Sequence, residues 1–125
     1  DSFGDNKKDV DELSSLVNQG IKRATTSAHW SLEKTGRKTP VTGGVFVVTN
    51  WAGDAVCIVR TKKVTIIPFN EISEDHAYIE GEGDRSLAHW KRVHIQFYQN
   101  EFEKLNLKFD ESMPVVFEEF EKVFP

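Results

Sequence analysis

Between Val45 and Ile67 the chain is dense in β-branched residues and is interrupted once, at Asn50-Trp51-Ala52-Gly53-Asp54. Branched Cβ atoms lose rotamer freedom in a helix and pack well on a pleated surface, so the run reads as strand. It predicts strands at Val45–Thr49 and Ala55–Arg60 joined by a hairpin loop, with Thr61–Ile67 continuing until Pro68 stops it. Helical periods lie on either side. Asp5-Asn6 and Asp9 mark a helix start, Val10, Leu13, Leu16 and Val17 recur at helical spacing, and Gly20 sits where a helix ends. A short helix is predicted at Glu74–Glu80, closed by Gly81, and another short helix or turn at His29–Glu33, followed by a loop from Thr35 to Pro40. Ser86 caps a long helix to about Leu105, with Leu87, Trp90, Val93 or His94, Phe97, Tyr98, Phe102 and Leu105 along one side. A last strand begins near Pro114, with Val115, Phe117 and Val123 for one face. Strands in the middle and at the end, with helices at the flanks, predict an α+β fold: a small curled sheet or barrel with helices packed on it.

With 125 residues the chain fits a single domain, taken as residues 1–125. No apolar run approaches the ~20 residues of a membrane span, and no membrane partner is expected. The N-terminus lacks the basic and apolar regions of a signal peptide, and the lone Cys57 cannot pair within the chain, so a reducing, cytoplasmic setting is expected. The only methionine is Met113, which implies a leading segment beyond Asp1. The net charge of −4 divides unevenly: −3 over residues 1–21, +3 over 22–92 and −4 over 93–125. A mildly basic middle on an acidic body allows a local positive patch, although a scatter of solvated charges satisfies the same numbers.

His29, His76, His89 and His94 include no pair at ligand spacing, and there is no second cysteine, so neither a metal nor any other cofactor is expected. Glu80, Glu82 and Asp84 lack the spacing of a known calcium loop. Cys57 sits in a strand pattern and is expected to be buried and inert. Among the tryptophans, Trp90 belongs to a helix face and Trp51 to a loop, where an exposed ring could stack on a base. The sharpest signal is Gly20–Ser27. A helix-ending glycine is followed by Lys22-Arg23-Ala24-Thr25-Thr26-Ser27, neither an amphipathic helix nor an apolar strand. An uncharged lysine there can activate a hydroxyl, a charged one can hold an anion, and a plain polar turn would use the same residues.

Several blocks resemble a known family: Phe3-Gly4-Asp5, Gly20-x-Lys22-x-Ala24-Thr25, Val56-Cys57-Ile58-Val59-Arg60-Thr61, Pro68-Phe69, Glu74-x-His76-Ala77-x-x-Glu80-Gly81-Glu82-Gly83-Asp84-Arg85-Ser86-Leu87 and Met113-Pro114-Val115-Val116. They resemble the ASCH domain (activating signal cointegrator homology), most closely its bacterial YhfF-like subfamily. The resemblance implies a β-barrel related to the PUA fold, flanking helices around a cleft, and RNA or a modified nucleoside as partner. One compact branch, YqfB-like, resembles an amidohydrolase that deacetylates N4-acetylcytidine. Its catalytic set would fall on Lys22, Thr25 and Glu80, with Arg23, Thr26, Ser27, Arg60, Glu82 and Arg85 as substrate-binding candidates. Ser27 stands where that branch has arginine, so a planar fork for a base edge is missing. The same resemblance admits a non-catalytic RNA-binding module, drawing also on Lys62 and Lys63, or a metal-assisted ribonuclease using the Glu80–Asp84 loop.

Overall fold

The computed structural model describes residues 3–4, 6–29, 32 and 39–125. Asp5 of the first helix start, Trp30, Ser31 and Glu33 of the expected short helix or turn, and residues 35–38 of the loop after it lie outside the described residues.

Helix α1 spans Lys7–Asn18. Asn6 is its N-cap, accepting a hydrogen bond from the Asp9 backbone N–H at 2.9 Å, which satisfies one of the donors a helix start leaves unpaired. Val10 and Val17 are buried as the periodicity requires. Four strands follow in chain order: β1 Ala24–Ala28, β2 Val45–Thr49, β3 Ala55–Pro68 and β4 Pro114–Phe124. They form one antiparallel sheet in the order β1-β4-β3-β2. The two segments expected at Ala55–Arg60 and Thr61–Ile67 are a single strand of 14 residues. Register shifts between Ile58 and Val59 and between Thr61 and Lys63 bend it, and such bulges raise local twist. The result is a curled half-barrel.

A 3₁₀ turn at Phe69–Glu71 leads to helix α2, Glu74–Glu80. Ser73 caps α2 in a reciprocal box with His76, whose Nδ1 accepts from the Ser73 backbone N–H at 3.0 Å. Helix α3, Leu87–Glu103, starts at the Ser86 cap and stops two residues short of the expected end. Its buried row is Trp90, Tyr98 and Phe102, with His94 in line, whereas Val93, Phe97 and Leu105 are exposed.

The sheet is covered on both faces. One face sets Ala24, Ala28, Val115 and Phe117 against Phe69, Ile72, Trp90, Tyr98 and Phe102. The other sets Val48, Cys57, Val59 and Phe120 against Val17 of α1. Strand β4 lies inside the sheet, which is why the consecutive Val115, Val116 and Phe117 are all buried. Past Phe120 it is exposed, so Val123 does not join the core. Cys57 is buried, and burial pushes its thiol up.

The segment after Gly20 departs from expectation, because Ala24–Ala28 is a strand. Its cohesion comes from the ladder to β4, from Ala24↔Glu119 to Ala28↔Val115, and not from large apolar side chains. Ala24, Thr26 and Ala28 face the helices and Thr25 and Ser27 occupy the alternate positions, a composition that suits a strand paired on one side only.

Candidate functional site

Three elements converge on Lys22. The backbone N–H groups of Ile21 and Lys22 donate to the Leu16 carbonyl at the end of α1, at 3.0 and 3.1 Å. The Arg23 N–H donates to the Ile79 carbonyl in α2 at 2.9 Å, and the Arg23 carbonyl accepts from Phe120 of β4 at 2.9 Å. Gly81 makes this approach possible. It ends α2 in the left-handed region at φ 78°, and a Cβ there would lie 2.4 Å from the Ile21 carbonyl oxygen. The end of α2 therefore packs directly on the backbone carrying Lys22.

The Lys22 side chain is 1% exposed. Its Nζ donates to the Ala24 carbonyl at 2.7 Å, to Glu82 Oε2 at 2.7 Å and to the Glu80 carbonyl at 3.4 Å. Glu80 Oε2 lies 3.8 Å away. All three donor positions are engaged by acceptors, so in this arrangement Lys22 is an ammonium ion and not a base. The Phe3 ring closes the other side, with its centroid 5.5 Å from Nζ.

Glu80 is 2% exposed and both of its carboxylate oxygens have donor partners. Oε1 accepts from the Thr26 hydroxyl at 2.6 Å and from Trp90 Nε1–H at 2.8 Å. Oε2 faces His94 Nε2 at 3.2 Å. Burial would raise this carboxyl, but the charges of Lys22 and His94 and the hydrogen bonds of His94 and Thr26 outweigh it and hold it well below the usual carboxylate range. His94 Nδ1 lies 2.9 Å from the Trp90 carbonyl, which can only accept, so Nδ1 carries a proton. With Glu80 ionised, Nε2 carries one too. His94 is thus an imidazolium stacked on the Trp90 ring, centroids 4.1 Å apart. Burial pushes the imidazole down, and the Glu80 carboxylate more than offsets it, so the group titrates above its ordinary 6.5.

The site thus gathers two cations, Lys22 and His94, against two anions, Glu80 and Glu82. It reaches the surface through Glu82, 24% exposed, and His94, 12% exposed. A notch of about 10 Å³ between Ala77, Glu82, His89, Trp90, Val93 and His94 opens there, room for about one water. A larger cavity of about 390 Å³ lies at the other end of β1, against Ala28, Tyr98, Phe102, Phe109 and Val115, and none of the four charged groups lines it.

The pairing carries a pH signature. Glu80 titrates below its ordinary 4.5, so its contribution is present above that pH and is lost only as pH falls through the lowered value. His94 titrates above 6.5, so its contribution is complete below 6.5 and disappears as pH rises through the raised value. Thermal melts from pH 6 to 9 are therefore expected to show wild type losing stability that His94→Gln, which has no proton to lose, does not lose. Parallel curves for the two proteins would refute the imidazolium.

Of the residues singled out in the sequence, Lys22, Glu80, Glu82 and Thr26 meet. Thr25 and Ser27 do not join them: they alternate with Thr26 along β1 and lie on the opposite face. Arg85 stacks on the Tyr78 ring at 3.7 Å and donates to the Tyr78 carbonyl, while Arg23 and Arg60 are exposed. Asp84 caps the Ser86 backbone, so the three carboxylates of the 80–84 loop do not converge, and no metal-ligand cluster occurs among the described residues. Trp90 and His94 were not singled out as site residues. Their one sequence sign is the i, i+4 spacing of a tryptophan and a histidine on the buried side of α3, four and eight positions after the Ser86 cap.

Comparison with known proteins agrees with this architecture. The ASCH domain family matches residues 1–124. An ASCH domain crystal structure from Lactobacillus crispatus superposes with a TM-score of 0.94 at 36% identity, covering 100% of this chain and 79% of that one. A crystal structure of a protein from Enterococcus faecalis superposes with a TM-score of 0.85 at 31% identity, covering 98% of this chain and 78% of that one. No protein of curated function matches. The fold is the curled α+β type of the PUA-like domains, and the chain belongs to the ASCH domain family.

Proposed function

We propose that this domain binds RNA or a modified nucleoside, with the Lys22–Glu80–Glu82–His94 cluster shaping the floor of its site. The carrying observation is the burial of the Lys22–Glu80 pair at the meeting point of α1, α2 and β1. Taking charges out of water costs several kcal/mol per ion, so a fold that keeps such a pair in its centre keeps it for positioning rather than for stability alone. The net charge of −4 favours a small or single-stranded ligand over a long duplex, whose grip needs many phosphate contacts. Exposed Arg23, Arg60, Lys62 and Lys63 are available for such a strand.

The short contact between the Thr26 hydroxyl and Glu80 supports a second, catalytic reading: hydrolysis of an N4-acylated cytidine. A threonine oxygen attacks the acyl carbon, the amide C–N bond breaks, and the departing amino group takes up a proton as cytidine leaves. Water then cleaves the acyl-threonine ester and restores the hydroxyl. In the family pattern the nucleophile is Thr25, with Lys22 as proton acceptor, which requires Lys22 to give up one of its three hydrogen bonds first. With Thr26 the acceptor is Glu80, 2.6 Å from the hydroxyl, which becomes basic enough only if Lys22 or His94 moves away from it first.

Incubation with N4-acetylcytidine, following cytidine by chromatography, tests this. Release that is lost in Lys22→Ala, and in only one of Thr25→Ala and Thr26→Ala, establishes the hydrolase and its nucleophile. With no release from any acyl nucleoside, the binding reading predicts association with single-stranded RNA that weakens steeply with salt, and salt-independent or absent binding rejects it.

A further inference from the structure

The larger cavity, about 390 Å³ at the Ala28 end of β1, takes no part in the Lys22 cluster. An apolar cavity of roughly 150 Å³ holds a benzene ring, so this one has room for a two-ring molecule. Its wall is aromatic. The Tyr98, Phe102 and Phe109 rings lie within 30° of parallel, with centroids 5.7, 6.0 and 6.5 Å apart. Aligned rings suit another flat ring, because offset stacking adds to the gain from burying its apolar area.

One polar atom in this wall lacks a partner. Tyr98 is 3% exposed, yet its hydroxyl makes no hydrogen bond among the described residues. No partnerless side-chain oxygen is sealed off among those residues either. The hydroxyl therefore borders open space, and the cavity is the space that Tyr98 lines. Burial, helped by the Glu80 charge, pushes the phenol up, so it keeps its proton and stands ready as a donor. A buried donor without an acceptor is costly, and native interiors rarely keep one unless something arrives to accept from it. Among the described residues, His29 and Lys108 supply the other polar side chains of the lining, and no acid joins them. Lys108 is exposed at the mouth and in no ion pair among the described residues. The nearby Asp110 carboxylate is turned to the Ser112 N–H and hydroxyl.

We propose that this cavity binds a planar aromatic carboxylate of one or two rings, with a carbonyl oxygen at its inner end. The rings lie against the Tyr98–Phe102–Phe109 wall, the carbonyl accepts from the Tyr98 hydroxyl, and the carboxylate stays at the mouth beside Lys108. The reverse orientation is disfavoured, because a carboxylate drawn inside would exchange its water for a single hydroxyl donor. An acyl chain would fill apolar volume but bring Tyr98 no acceptor and gain nothing from the aligned rings. The site is separate from the Lys22 cluster and stands whatever that cluster binds.

Met113, the only methionine of the 125 residues, lines the cavity, so its methyl resonance in NMR spectra reports occupancy directly. The probes are 4-acetylbenzoate and 4-isopropylbenzoate, with the corresponding naphthoates; each pair shares a shape and differs in the acceptor. Acetyl forms are expected to shift the Met113 methyl and to bind wild type on the order of tenfold more tightly than isopropyl forms, which leave the phenol unpaired. Tyr98→Phe is expected to bring that ratio to about one, and to melt no lower than wild type, since the hydroxyl it lacks had no partner. Lys108→Gln is expected to weaken both forms alike by a few fold, and more so at low salt. A wild-type ratio in Tyr98→Phe overturns the proposal. So does a Met113 methyl that no probe moves at millimolar concentration, the result expected if the chain's own side chains fill the space. Affinities that Lys108→Gln leaves unchanged overturn the carboxylate and with it the ligand class.

Discussion

Replacement of Lys22 by methionine is expected to lower the midpoint of thermal unfolding by about 10 °C or more and to abolish ligand binding or turnover. Methionine has similar length and fits an apolar space, so the loss does not come from a void. It comes from Glu80 and Glu82, which keep their negative charges after their shared cation is removed. Breaking a buried pair by removing one partner costs roughly 3–5 kcal/mol, because the remaining charge is left in a poor solvent. Thermal melts followed by circular dichroism measure this directly. The double variant Lys22→Met with Glu80→Gln separates the two components. It is expected to recover much of the stability, since an amide tolerates the site as an anion does not, but none of the function. A single Lys22→Met variant that melts within a couple of degrees of wild type would mean the cluster carries no charge worth compensating.

The second large effect is expected at Gly81. Alanine there is strained twice: it must adopt φ 78°, which costs an L-residue about 1–2 kcal/mol, and its Cβ meets the Ile21 carbonyl oxygen and the Lys22 Cα at 2.4 and 2.8 Å. Both contacts are backbone, so no side chain can swing aside. Overpacking of this kind adds about 1–3 kcal/mol. Gly20 is the natural control, because it has φ 76° and nothing within 4 Å of a built Cβ. Gly20→Ala is expected to pay only the conformational part and keep function. Gly81→Ala is expected to be the less stable by a clear margin in urea titration and to lose function, since α2 must retreat and carry Glu80 away from Lys22. Equal destabilisation by the two substitutions would show that the close approach is unimportant.

The legible parts of this fold were those written in local signals. Helix α2 was legible at Glu74–Glu80 with Gly81 to end it, and the Ser73 cap that the structure adds acts just as locally. The hairpin of β2 and β3 announced itself through branched residues on either side of Asn50–Asp54. Strand β1 was not legible as a strand, since Ala24-Thr25-Thr26-Ser27-Ala28 lacks large apolar side chains and owes its conformation to β4, some ninety residues away. The same distance hid which hydroxyl belongs to which carboxyl. Lys22, Glu80, Glu82, Thr25 and Thr26 could all be named from motif and resemblance, but Thr26 sits on Glu80 and Thr25 sits opposite Glu118 only because of the register Thr25↔Glu118. Glu118 itself, in Phe117-Glu118-Glu119-Phe120, reads as an ordinary surface acid. Its burial depends on the curl of β3, which brings Thr61 beside it. His94 was hidden for a different reason: a lone histidine becomes conspicuous only when a carboxylate from another helix arrives at its ring.

Strand β1 keeps its place through backbone groups on one side and through the two alanines at its ends, and the three residues between them contribute little to the core. Thr25 and Ser27 are therefore positions where a side chain can change without the domain coming apart, whereas Thr26 also holds the buried Glu80 carboxylate. A strand built in this way can vary the hydroxyls on one sheet face while the buried charges behind the other face stay the same.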